Sequence, residues 1–550
     1  MGVRTPRRGA LAPLGLAAAA YALTLAQRPG TAVADTKIDL HVDPAGFLAD
    51  VASLWSSSGG LGQVQAGQYA GYLFPMGPFF ALGHALGLSP WLVQRLWLGT
   101  LLALAAWGVV RLLDSTWSER RGVAHVAAGA LVLLNPYVVV FANRTSVTLL
   151  GYAALPWLLL VVHRAMADPR GWRMPAAFAL VLAATGGGVN AAVTGWLLVG
   201  PLLLLAYEAS VGGAGARAAR AVLVRTAPLA LAASLWWIVP VAAHARYGLN
   251  FLPFTESAGA IWATSSASEA LRLMGYWVSY LGVGFGDRLV PYFDTSDTML
   301  FSLPVVLASL IVPALALAGF AWTRRWRYGP FFLLMGLAGL VIVMAGYPDG
   351  TPLRRVLEAV YYRAEPVQFL RTSYKAAPLL AIALACLGGA AAARAWAVLG
   401  ARGSAARALA AALGLALLVL SAWPLARGRA IDSQVAYGEL PSAWERAAAD
   451  LDRDLPAGTR AMVLPGQVFP FYRWGSPQDP ILPSLSERPV AVRYVVPYAD
   501  LHAADLLLTT DALVQQRRVL PGQLPPLLDL LGVGAVVAGS DDDPLRSGSV

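Results

Sequence analysis

Cysteine, lysine and charged residues in general are scarce in this 550-residue sequence. The single cysteine, Cys386, excludes an intramolecular disulfide framework and a cysteine-based metal site. Charged residues make up 13% of the chain against 57% hydrophobic residues, which is more apolar surface than a soluble core can bury. Lysine occurs only at Lys37 and Lys375, although lysine and arginine together number 41. Because the basic residues form no continuous patch, the composition argues against a nucleic-acid partner.

Familiar catalytic motifs are also missing. The sequence has no Walker loop, no His-Glu-x-x-His pair and no Gly-x-Ser-x-Gly elbow. A transferase without a visible nucleotide-binding site would take its donor from a lipid carrier. The apolar segments hold few ionisable residues near their centres, whereas solute pathways usually need them, and this argues against a transporter.

Long apolar segments are what the sequence has in quantity. A segment of roughly 20 residues crosses the hydrocarbon layer of a bilayer, and we count about eleven of them. Their approximate bounds are 9–27, 91–110, 122–142, 146–162, 175–189, 191–209, 222–243, 298–321, 329–346, 376–393 and 408–425. These segments predict an all-α polytopic membrane domain.

Arginine marks every second connection between these segments. Short arginine-rich loops stay in the cytoplasm, so the alternation predicts a cytoplasmic N-terminus. The arginines concerned are Arg111, Arg120, Arg121, Arg164, Arg170, Arg173, Arg217, Arg220, Arg225, Arg324, Arg325, Arg327, Arg394, Arg402 and Arg407. Four long segments then lie outside, at 28–90, 244–297, 347–375 and after about 426, and we expect the function to reside there.

The first outer segment opens with Asp35-Thr36-Lys37-Ile38-Asp39-Leu40, directly after the first span. A carboxylate fixed at the membrane surface can accept a proton from a sugar hydroxyl, which is general-base catalysis. The alternative is a solvated loop with an internal lysine–aspartate pair.

An interfacial helix is predicted to follow over 44–56. Asp43 is a favoured N-cap and Pro44 a favoured first helical residue, and Phe47, Val51 and Trp55 share one face. We expect that face to lie on the membrane. The stretch from 69 to 88 is apolar but broken by proline and glycine, which predicts a surface or re-entrant piece.

The other outer loops offer cations and aromatic rings. Lys375 follows Arg371 in one loop, and this pair suits either a phosphate leaving group or lipid head groups. Tyr276, Trp277 and Tyr280 in another loop suit either a sugar ring or an interfacial aromatic belt.

The C-terminal part has a different pattern. Apolar strands are predicted at 461–464 and 535–538, with helices at 441–451 and 523–531. We therefore predict two domains, a transmembrane domain over 1–430 and a small extracytoplasmic α/β region over 431–550. The second would either orient an acceptor glycan or act as a structural lid.

Several stretches together resemble the actinobacterial membrane α-(1→3)-arabinofuranosyltransferases (AftD type), which belong to the GT-C fold class. The most specific stretch is 71–84, GYLFPMGPFFALGH, continuing to Gln94-Arg95-Leu96-Trp97. The others, in the order of the family, are 35–40, Asp43-Pro44, Phe47-Leu48, 187–191, 254–257, Leu464-Pro465-Gly466, Trp474-Gly475, Gln478-Asp479, Pro489, 491–493 and Pro497. Together they span most of the chain.

The resemblance implies a reaction and a catalytic residue. These enzymes take an arabinofuranosyl group from a decaprenyl-phosphate carrier outside the cytoplasmic membrane and add it to cell-envelope arabinan. The family's catalytic carboxylate lies on the first outer loop, and Asp35 occupies the matching position, with Asp39 as the second candidate. One displacement by the acceptor oxygen inverts the sugar configuration.

The remaining site residues follow from the same picture. We predict that Lys37, Arg371 and Lys375 bind the donor phosphate, and that Tyr72, Arg95 and Glu256 contact substrate. No cofactor is expected, with a divalent cation at the two aspartates as the alternative. The expected partners are the polyprenyl-phosphate donor, the polysaccharide acceptor and membrane lipids.

Three alternatives remain beside this hypothesis. A GT-C transferase for another polyprenyl-phosphate sugar shares the same physical features, and a glycolipid transporter or flippase is the alternative from a different class. The third is a catalytically inactive scaffold for envelope synthesis. Family members are much longer, so the chain is either a fragment or a short relative with a different acceptor.

Overall fold

The computed structural model describes residues 11–35, 37–117, 122–250, 252, 255–285, 288–493 and 500–543. Arg120 and Arg121, residues 9 and 10 of the first apolar segment, and the resemblance positions Thr36, Phe254 and Pro497 lie outside these residues. The chain divides into two compact units. Unit 1 comprises 1–29, 95–234 and 258–432, and unit 2 comprises 30–94, 235–257 and 433–550. The predicted domain boundary at 430/431 is close to the change from unit 1 to unit 2 after residue 432. Unit 2 also contains 30–94 and 235–257, which the sequence pattern assigned to the first domain.

Unit 1 is built almost entirely from helices. The α-helices are Leu11–Leu25, Pro90–Thr116 (from Arg95 on), Val123–Leu133, Pro136–Ala142, Thr148–Ala165, Arg173–Ala183, Ala191–Leu197, Val199–Ser210, Ala216–Ala232, Ala258–Ala263, Ala267–Leu271, Asp294–Phe301, Leu303–Ala318, Phe320–Thr323, Gly329–Met344, Pro352–Arg363, Ala377–Gly400, Ser404–Ser421 and Trp423–Ala426. Short 3-10 helices at Trp277–Tyr280, Glu365–Arg371 and Ser373–Ala376 and a hairpin of Gly282–Phe285 with Arg288–Pro291 complete it.

Seven helices in the described part of the chain are long and apolar enough to span a bilayer. They are Pro90–Thr116, Val123–Ala142, Thr148–Ala165, Ala191–Ser210, Leu303–Thr323, Ser373–Gly400 and Ser404–Ser421. Ala216–Ala232 and Leu235–Tyr247 pass the same test only as a broken pair, and Ala12–Leu25, Arg173–Ala183 and Gly329–Met344 are shorter apolar helices. Every apolar segment of the sequence therefore forms helix, but only seven of the eleven reach spanning length without a sharp bend. Four of these seven, at 123–142, 191–210, 303–323 and 373–400, each join two consecutive helices.

Helix ends predicted to lie outside contact one another in unit 1. The side-chain amide of Gln27 donates to the carbonyl oxygen of Leu425 at 2.8 Å, and its oxygen accepts from the backbone N–H of Ala430 at 2.8 Å. The Nε of Arg95 donates to the carbonyl oxygen of Gln27 at 3.0 Å. The first, second and last apolar helices thus meet at ends that the arginine pattern places on one side.

A buried carboxyl group just after the last apolar helix joins two further helix ends on the same side. Asp432 accepts hydrogen bonds from the Thr295 backbone N–H at 2.8 Å and the Thr295 hydroxyl at 2.7 Å, and it also contacts the Asn143 side chain. Its backbone N–H donates to Asn143 Oδ1 at 2.9 Å. Burial raises the pKa of Asp432 to about 6, against the lowering effect of the Thr295 hydrogen bonds. The folded protein therefore holds this proton to a higher pH than the unfolded chain does.

Because the folded protein stabilises the protonated form of Asp432, we expect the free energy of unfolding to fall as pH rises and the proton is lost. The stabilising contribution is complete below the ordinary pKa of 3.8 and is lost as pH rises through about 6. The size of the loss is on the order of 2–3 kcal/mol. We expect the melting temperature of wild type, relative to Asp432→Asn, to decline between pH 4 and 6.5. An exposed aspartate of the neighbouring helix, tested as Asp297→Asn, serves as the control, and parallel profiles for wild type and Asp432→Asn would exclude this residue as the source.

The opposite helix ends form their own cluster. Glu208, which is 2% exposed, pairs with Arg327 at 3.0 Å and accepts a hydrogen bond from the Tyr328 hydroxyl at 2.6 Å. The indole N–H of Trp326 donates to the carbonyl oxygen of Thr116 at 2.6 Å. All of these residues lie at ends that the sequence assigned to the arginine-rich side.

Unit 2 mixes short helices with a small parallel sheet. Its α-helices are Asp39–Val42, Pro44–Val51, Met76–Ala85, Leu235–Tyr247, Ser442–Asp454, Leu482–Leu485, Leu501–Gln515 and Leu524–Leu530, with a 3-10 helix at Gly67–Leu73. Strand Arg460–Val463 lies between Val490–Ala491 and Val533–Val537, and both pairings are parallel. Trp55–Ser56 pairs with Gln63–Val64 in an antiparallel hairpin. Two strands and two helices fall where the C-terminal pattern expected them.

The core of unit 2 explains why residues 30–94 belong with the C-terminal segment. Helix Ser442–Asp454 buries Trp444, Ala448 and Leu451 along one face, as the 3.6-residue period requires. These side chains share a buried cluster with Ile38 of the first outer segment, which is fully enclosed. Burial of that residue removes apolar surface from water and holds the neighbouring aspartates in place.

The expected interfacial helix is shorter than predicted and faces inward. Asp43 caps Pro44–Val51 as expected, with its carboxylate accepting from the Gly46 N–H at 3.0 Å. Phe47 packs edge-on against Tyr69 with ring centroids 5.6 Å apart, and Val51 is buried. Phe47 and Val51 of the predicted apolar face are thus covered by protein, whereas Trp55 lies beyond the end of the helix and is 57% exposed.

Candidate functional site

The first outer segment begins with a turn at Asp35 and continues into helix Asp39–Val42. Asp35 has a φ of +61°, in the left-handed region that aspartate and asparagine tolerate better than most residues. Its side chain is 3% exposed. The turn lets Lys37 and Asp39 approach the same cleft.

Lys37 is a buried ammonium group between two carboxylates. Its Nζ lies 3.0 Å from Asp39 Oδ2 and 3.2 Å from Asp479 Oδ2, and it donates to the Tyr69 hydroxyl at 2.9 Å. The same nitrogen lies 4.6 Å from the centre of the Tyr69 ring. The lysine side chain is 6% exposed, and its two carboxylate partners offset the cost of removing the charge from water.

Asp479 connects the C-terminal segment to the first outer segment. Its Oδ2 pairs with Lys37 and also accepts the backbone N–H of Ile38 at 3.2 Å, across 441 residues of sequence. Asp479 lies in a stretch that resembles the family, but its sequence context predicted no role for it. The sequence feature that could have indicated a role for Asp479 is that it is an acidic residue within a stretch that resembles the family.

Asp39 is the more accessible of the two predicted catalytic carboxylates. Its side chain is 21% exposed, and its Oδ1 accepts the Ser484 hydroxyl at 3.0 Å. Asp39 lines the cleft directly, whereas Asp35 does not. A reacting hydroxyl in the cleft would therefore meet Asp39 first in this conformation.

The cleft in unit 2 has a volume of about 120 Å³ and mixed polar and aromatic walls. Carboxylates, amides and hydroxyls match the hydrogen-bonding groups of a sugar, and aromatic faces match its C–H surface. The side chains that provide these groups are Lys37, Asp39, Phe47, Asp50, Ser56, Ser58, Gln63, Gln65, Tyr69, Asp479, Ser484 and Arg488. The arrangement can bind a polyhydroxylated ligand and move a proton to a carboxylate.

Asp35 lies on the Tyr437 side of this cluster. Burial raises the pKa of Tyr437, and the negative charges of Asp479 and Asp35 raise it further. The Tyr437 hydroxyl lies 2.5 Å from His41 Nδ1. The tyrosine therefore stays protonated and is a fixed hydrogen-bonding group next to Asp35.

The two other predicted site residues of unit 2 stand apart from the cleft. Tyr72 is 3% exposed and packs edge-on against Phe47 with ring centroids 5.6 Å apart. Glu256 is half-buried in the loop after helix Leu235–Tyr247. Neither lines the cleft.

The remaining predicted site residues belong to unit 1. Arg95 is fully enclosed and donates to Gln27, so its visible role is to join two helices. Arg371 and Lys375 are 5% and 7% exposed and lie in consecutive 3-10 turns before helix Ala377–Gly400. The Lys375 ammonium lies 5.4 Å from the centre of the Tyr374 ring.

The aromatic residues of the second outer loop pack inside unit 1. The Tyr276 ring stacks on Phe141 and packs against Tyr374, each with centroids 4.9 Å apart. The Tyr280 hydroxyl donates to Glu269 at 2.5 Å. Tyr276 and Tyr280 are thus engaged in packing and hydrogen bonding within the protein.

Ligands for a divalent cation are not grouped in the described residues. No three histidine, cysteine, aspartate or glutamate side chains of that part of the chain converge on one point. A divalent cation held by Asp35 and Asp39 together with the donor phosphate stays a prediction.

Comparison with known proteins identifies a family. Residues 19–550 match the family described as alpha-(1->3)-arabinofuranosyltransferase, N-terminal GT-C domain. The alpha-(1->3)-arabinofuranosyltransferase of Mycolicibacterium smegmatis is 30% identical over 547 residues, covering 97% of this chain and 37% of the relative. The protein of the same name from Mycobacterium tuberculosis is 30% identical over 561 residues, covering 97% and 38%.

A solved structure gives the same result. The cryo-EM structure of arabinofuranosyltransferase AftD from mycobacteria aligns with a TM-score of 0.75 and 26% identity. The alignment covers 100% of this chain and 36% of that one. The chain thus spans less than two fifths of the length of the relatives it matches.

Proposed function

This chain belongs to the family of N-terminal GT-C domains of α-(1→3)-arabinofuranosyltransferases, and from that premise we propose that it transfers arabinofuranose between two membrane-associated substrates. The donor is decaprenyl-phosphate-arabinofuranose and the acceptor is a cell-envelope arabinan, joined by an α-1,3 linkage. The reaction takes place on the outer face of the cytoplasmic membrane. The cleft of unit 2, with Lys37 between Asp39 and Asp479, is the observation that carries this proposal.

The proposed arrangement in the membrane follows the arginine pattern. All eleven apolar segments cross the bilayer, with the N-terminus in the cytoplasm and residues 431–550 outside as a small α/β region. Helix ends assigned to one side contact one another within unit 1, as at Asp432 and Thr295, which supports this arrangement. Spans shorter than 20 residues are compatible with local thinning of the bilayer.

Asp35 is the proposed general base. It takes the proton from the acceptor hydroxyl while that oxygen bonds to the anomeric carbon. The bond from the anomeric carbon to the phosphate oxygen breaks, and polyprenyl phosphate leaves with the electron pair. Asp39, which faces the cleft, is the alternative base. Correct positioning of the two substrates and stabilisation of the phosphate supply much of the rate.

Charge decides which cations suit the leaving phosphate. Lys37 is already paired with two carboxylates, so this group of three carries a net negative charge and repels a phosphate. Arg371 and Lys375 follow each other closely before one spanning helix. We therefore assign the donor phosphate chiefly to Arg371 and Lys375, with Lys37 acting mainly to hold the carboxylates. Tyr72, Arg95 and Glu256 remain proposed substrate contacts that depend on a rearrangement on binding.

A direct assay tests the reaction class. Purified protein in nanodiscs is given synthetic polyprenyl-phosphoryl-arabinofuranose and an arabinan oligosaccharide, and product is detected by mass spectrometry. We expect one arabinose to be added, with no loss of rate when EDTA is present. Transfer only from another polyprenyl-phosphate sugar would show that the protein is a GT-C transferase with a different donor sugar. Lipid flipping without any transfer would replace the proposal with the transporter alternative.

A further inference from the structure

Unit 1 contains a large apolar groove between four of its spanning helices. The groove has a volume of about 810 Å³, comparable to the ~300–1,000 Å³ of sites for small organic ligands. Its walls come from helices Val123–Leu133, Leu303–Ala318, Ala377–Gly400 and Ser404–Ser421, with Trp322 just beyond the second. Every lining side chain is apolar, and more than half are alanine or glycine. A groove of this kind among spanning helices fits hydrocarbon chains and no polar ligand.

One wall of the groove, helix Ser404–Ser421, is largely uncovered by the rest of the described protein. Only 6% of the residues of helix Ser404–Ser421 are buried by the rest of the protein. A Cβ atom added at Gly414, which lines the groove, would meet no atom within 4 Å. The space next to this helix is therefore open to the acyl chain of a lipid.

The mouth of the groove is strongly basic. Arg407 Nε donates to the Trp396 carbonyl oxygen at 3.1 Å, and its guanidinium lies 5.4 Å from the centre of the Trp396 ring, which lines the groove. No aspartate or glutamate occurs between Cys386 and Ile431 or in 303–344, and the segment before the fourth wall helix, Val123–Leu133, has Asp114 and Glu119 against Arg111, Arg120 and Arg121. Arg324, Arg325 and Arg402 directly follow helices of the groove, and Arg394 lies in the last two turns of helix Ala377–Gly400. This charge complements an anionic head group.

The groove lies at the opposite end of helix Ala377–Gly400 from the proposed donor phosphate. Lys375 precedes this helix, whereas the groove is lined by its residues from Gly388 to Leu399. At about 1.5 Å per residue, Arg402 lies roughly 40 Å along the axis from Lys375. A donor whose phosphate is held at Lys375 cannot also place it among the arginines at the groove.

From the groove and its basic mouth, we propose a structural binding site for an anionic glycerophospholipid of the leaflet that faces the arginine-rich helix ends. Its acyl chains lie against the alanine and glycine walls, and its phosphate lies near Arg402 and Arg407. The lipid covers helix Ser404–Ser421 and fastens it to the rest of unit 1. This site is separate from donor binding and does not depend on the proposed transferase activity.

Native mass spectrometry of protein released from nanodiscs tests the proposal. The nanodiscs contain equal amounts of phosphatidylglycerol and phosphatidylethanolamine, and the lipids retained by the protein are counted. Wild type is expected to retain phosphatidylglycerol in preference to phosphatidylethanolamine. Gly414→Phe fills the groove and is expected to lower this retention by about fivefold or more, and Arg402→Gln with Arg407→Gln to lower the preference by about fivefold for each charge removed.

Matched variants control for general effects on the membrane surface and on folding. Leu413→Phe adds the same ring at a lipid-facing position of the same helix that is 58% exposed, and Arg217→Gln removes an exposed arginine elsewhere. Both are expected to match wild type. If the double arginine variant fails to fold, Arg402→Gln alone carries the charge test.

Several results would overturn the proposal. Equal retention by wild type and Gly414→Phe would show that the groove is not the site, and equal retention of the two lipids would remove the role of charge. Displacement of phosphatidylglycerol by polyprenyl phosphate would assign the groove to the donor. A wild-type dimer that Gly414→Phe dissociates would assign it to a second copy of the chain.

Discussion

Asp35→Asn is expected to lower the rate of arabinofuranose transfer by about 10²–10⁴-fold, the usual contribution of a general base. Asparagine keeps the size and the hydrogen-bonding groups of the side chain but does not take up the proton. Asparagine also tolerates the φ of +61° at this position, so the turn before Lys37 should survive. The loss should therefore appear in the chemical step and not in folding, measured as initial rate by mass spectrometry.

Two other aspartates make this experiment decisive. Asp39→Asn tests the alternative base, because Asp39 faces the cleft and Asp35 does not. Asp505→Asn alters an exposed carboxylate of helix Leu501–Gln515 that does not line the cleft. It should change the rate by no more than about twofold, as expected for a surface substitution. Retained activity in Asp35→Asn together with loss in Asp39→Asn would transfer the role of base to Asp39.

Lys37→Met is expected to destabilise unit 2 by about 3 kcal/mol, near the lower end of what breaking a buried ion pair costs. Methionine fills a similar volume but leaves Asp39 and Asp479 facing each other without a cation. The lower value applies because Asp39 is 21% exposed and water screens part of the repulsion. Thermal unfolding followed by tryptophan fluorescence would detect the change, since Trp444 and Trp474 both lie in this unit.

A second substitution distinguishes charge from packing. If the cost comes from two uncompensated carboxylates, Lys37→Met with Asp479→Asn should be more stable than Lys37→Met alone, because one of the charges is gone. Lys37→Arg keeps the positive charge and should lose less than the methionine variant. An unchanged melting temperature in Lys37→Met would contradict a structural role for the ion pair.

Long-range contacts set the limit of what could be predicted about the site. The sequence pointed to Asp35, Lys37 and Asp39 because they are close together after an apolar segment. It gave no reason to pair Lys37 with Asp479 or to separate Tyr72 and Glu256 from the cleft. Such pairs depend on how distant segments pack, and neither periodicity nor spacing encodes them. Arg95 illustrates the same limit, since its family stretch suggested substrate contact and its guanidinium is enclosed in unit 1.

The sequence by itself determined the helical, membrane type of the protein, the helix cap at Asp43 and the C-terminal strands. Apolar segment length, capping and strand alternation are local properties, each written in fewer than about 25 consecutive residues. Only the tertiary structure decided that residues 30–94 share a unit with the C-terminal segment, that Phe47 faces protein, and that Asp479 closes the ion pair. The reason is physical: burial and charge pairing are set by neighbours in space, and Ile38 and Asp479 become neighbours only after 441 residues of chain have folded.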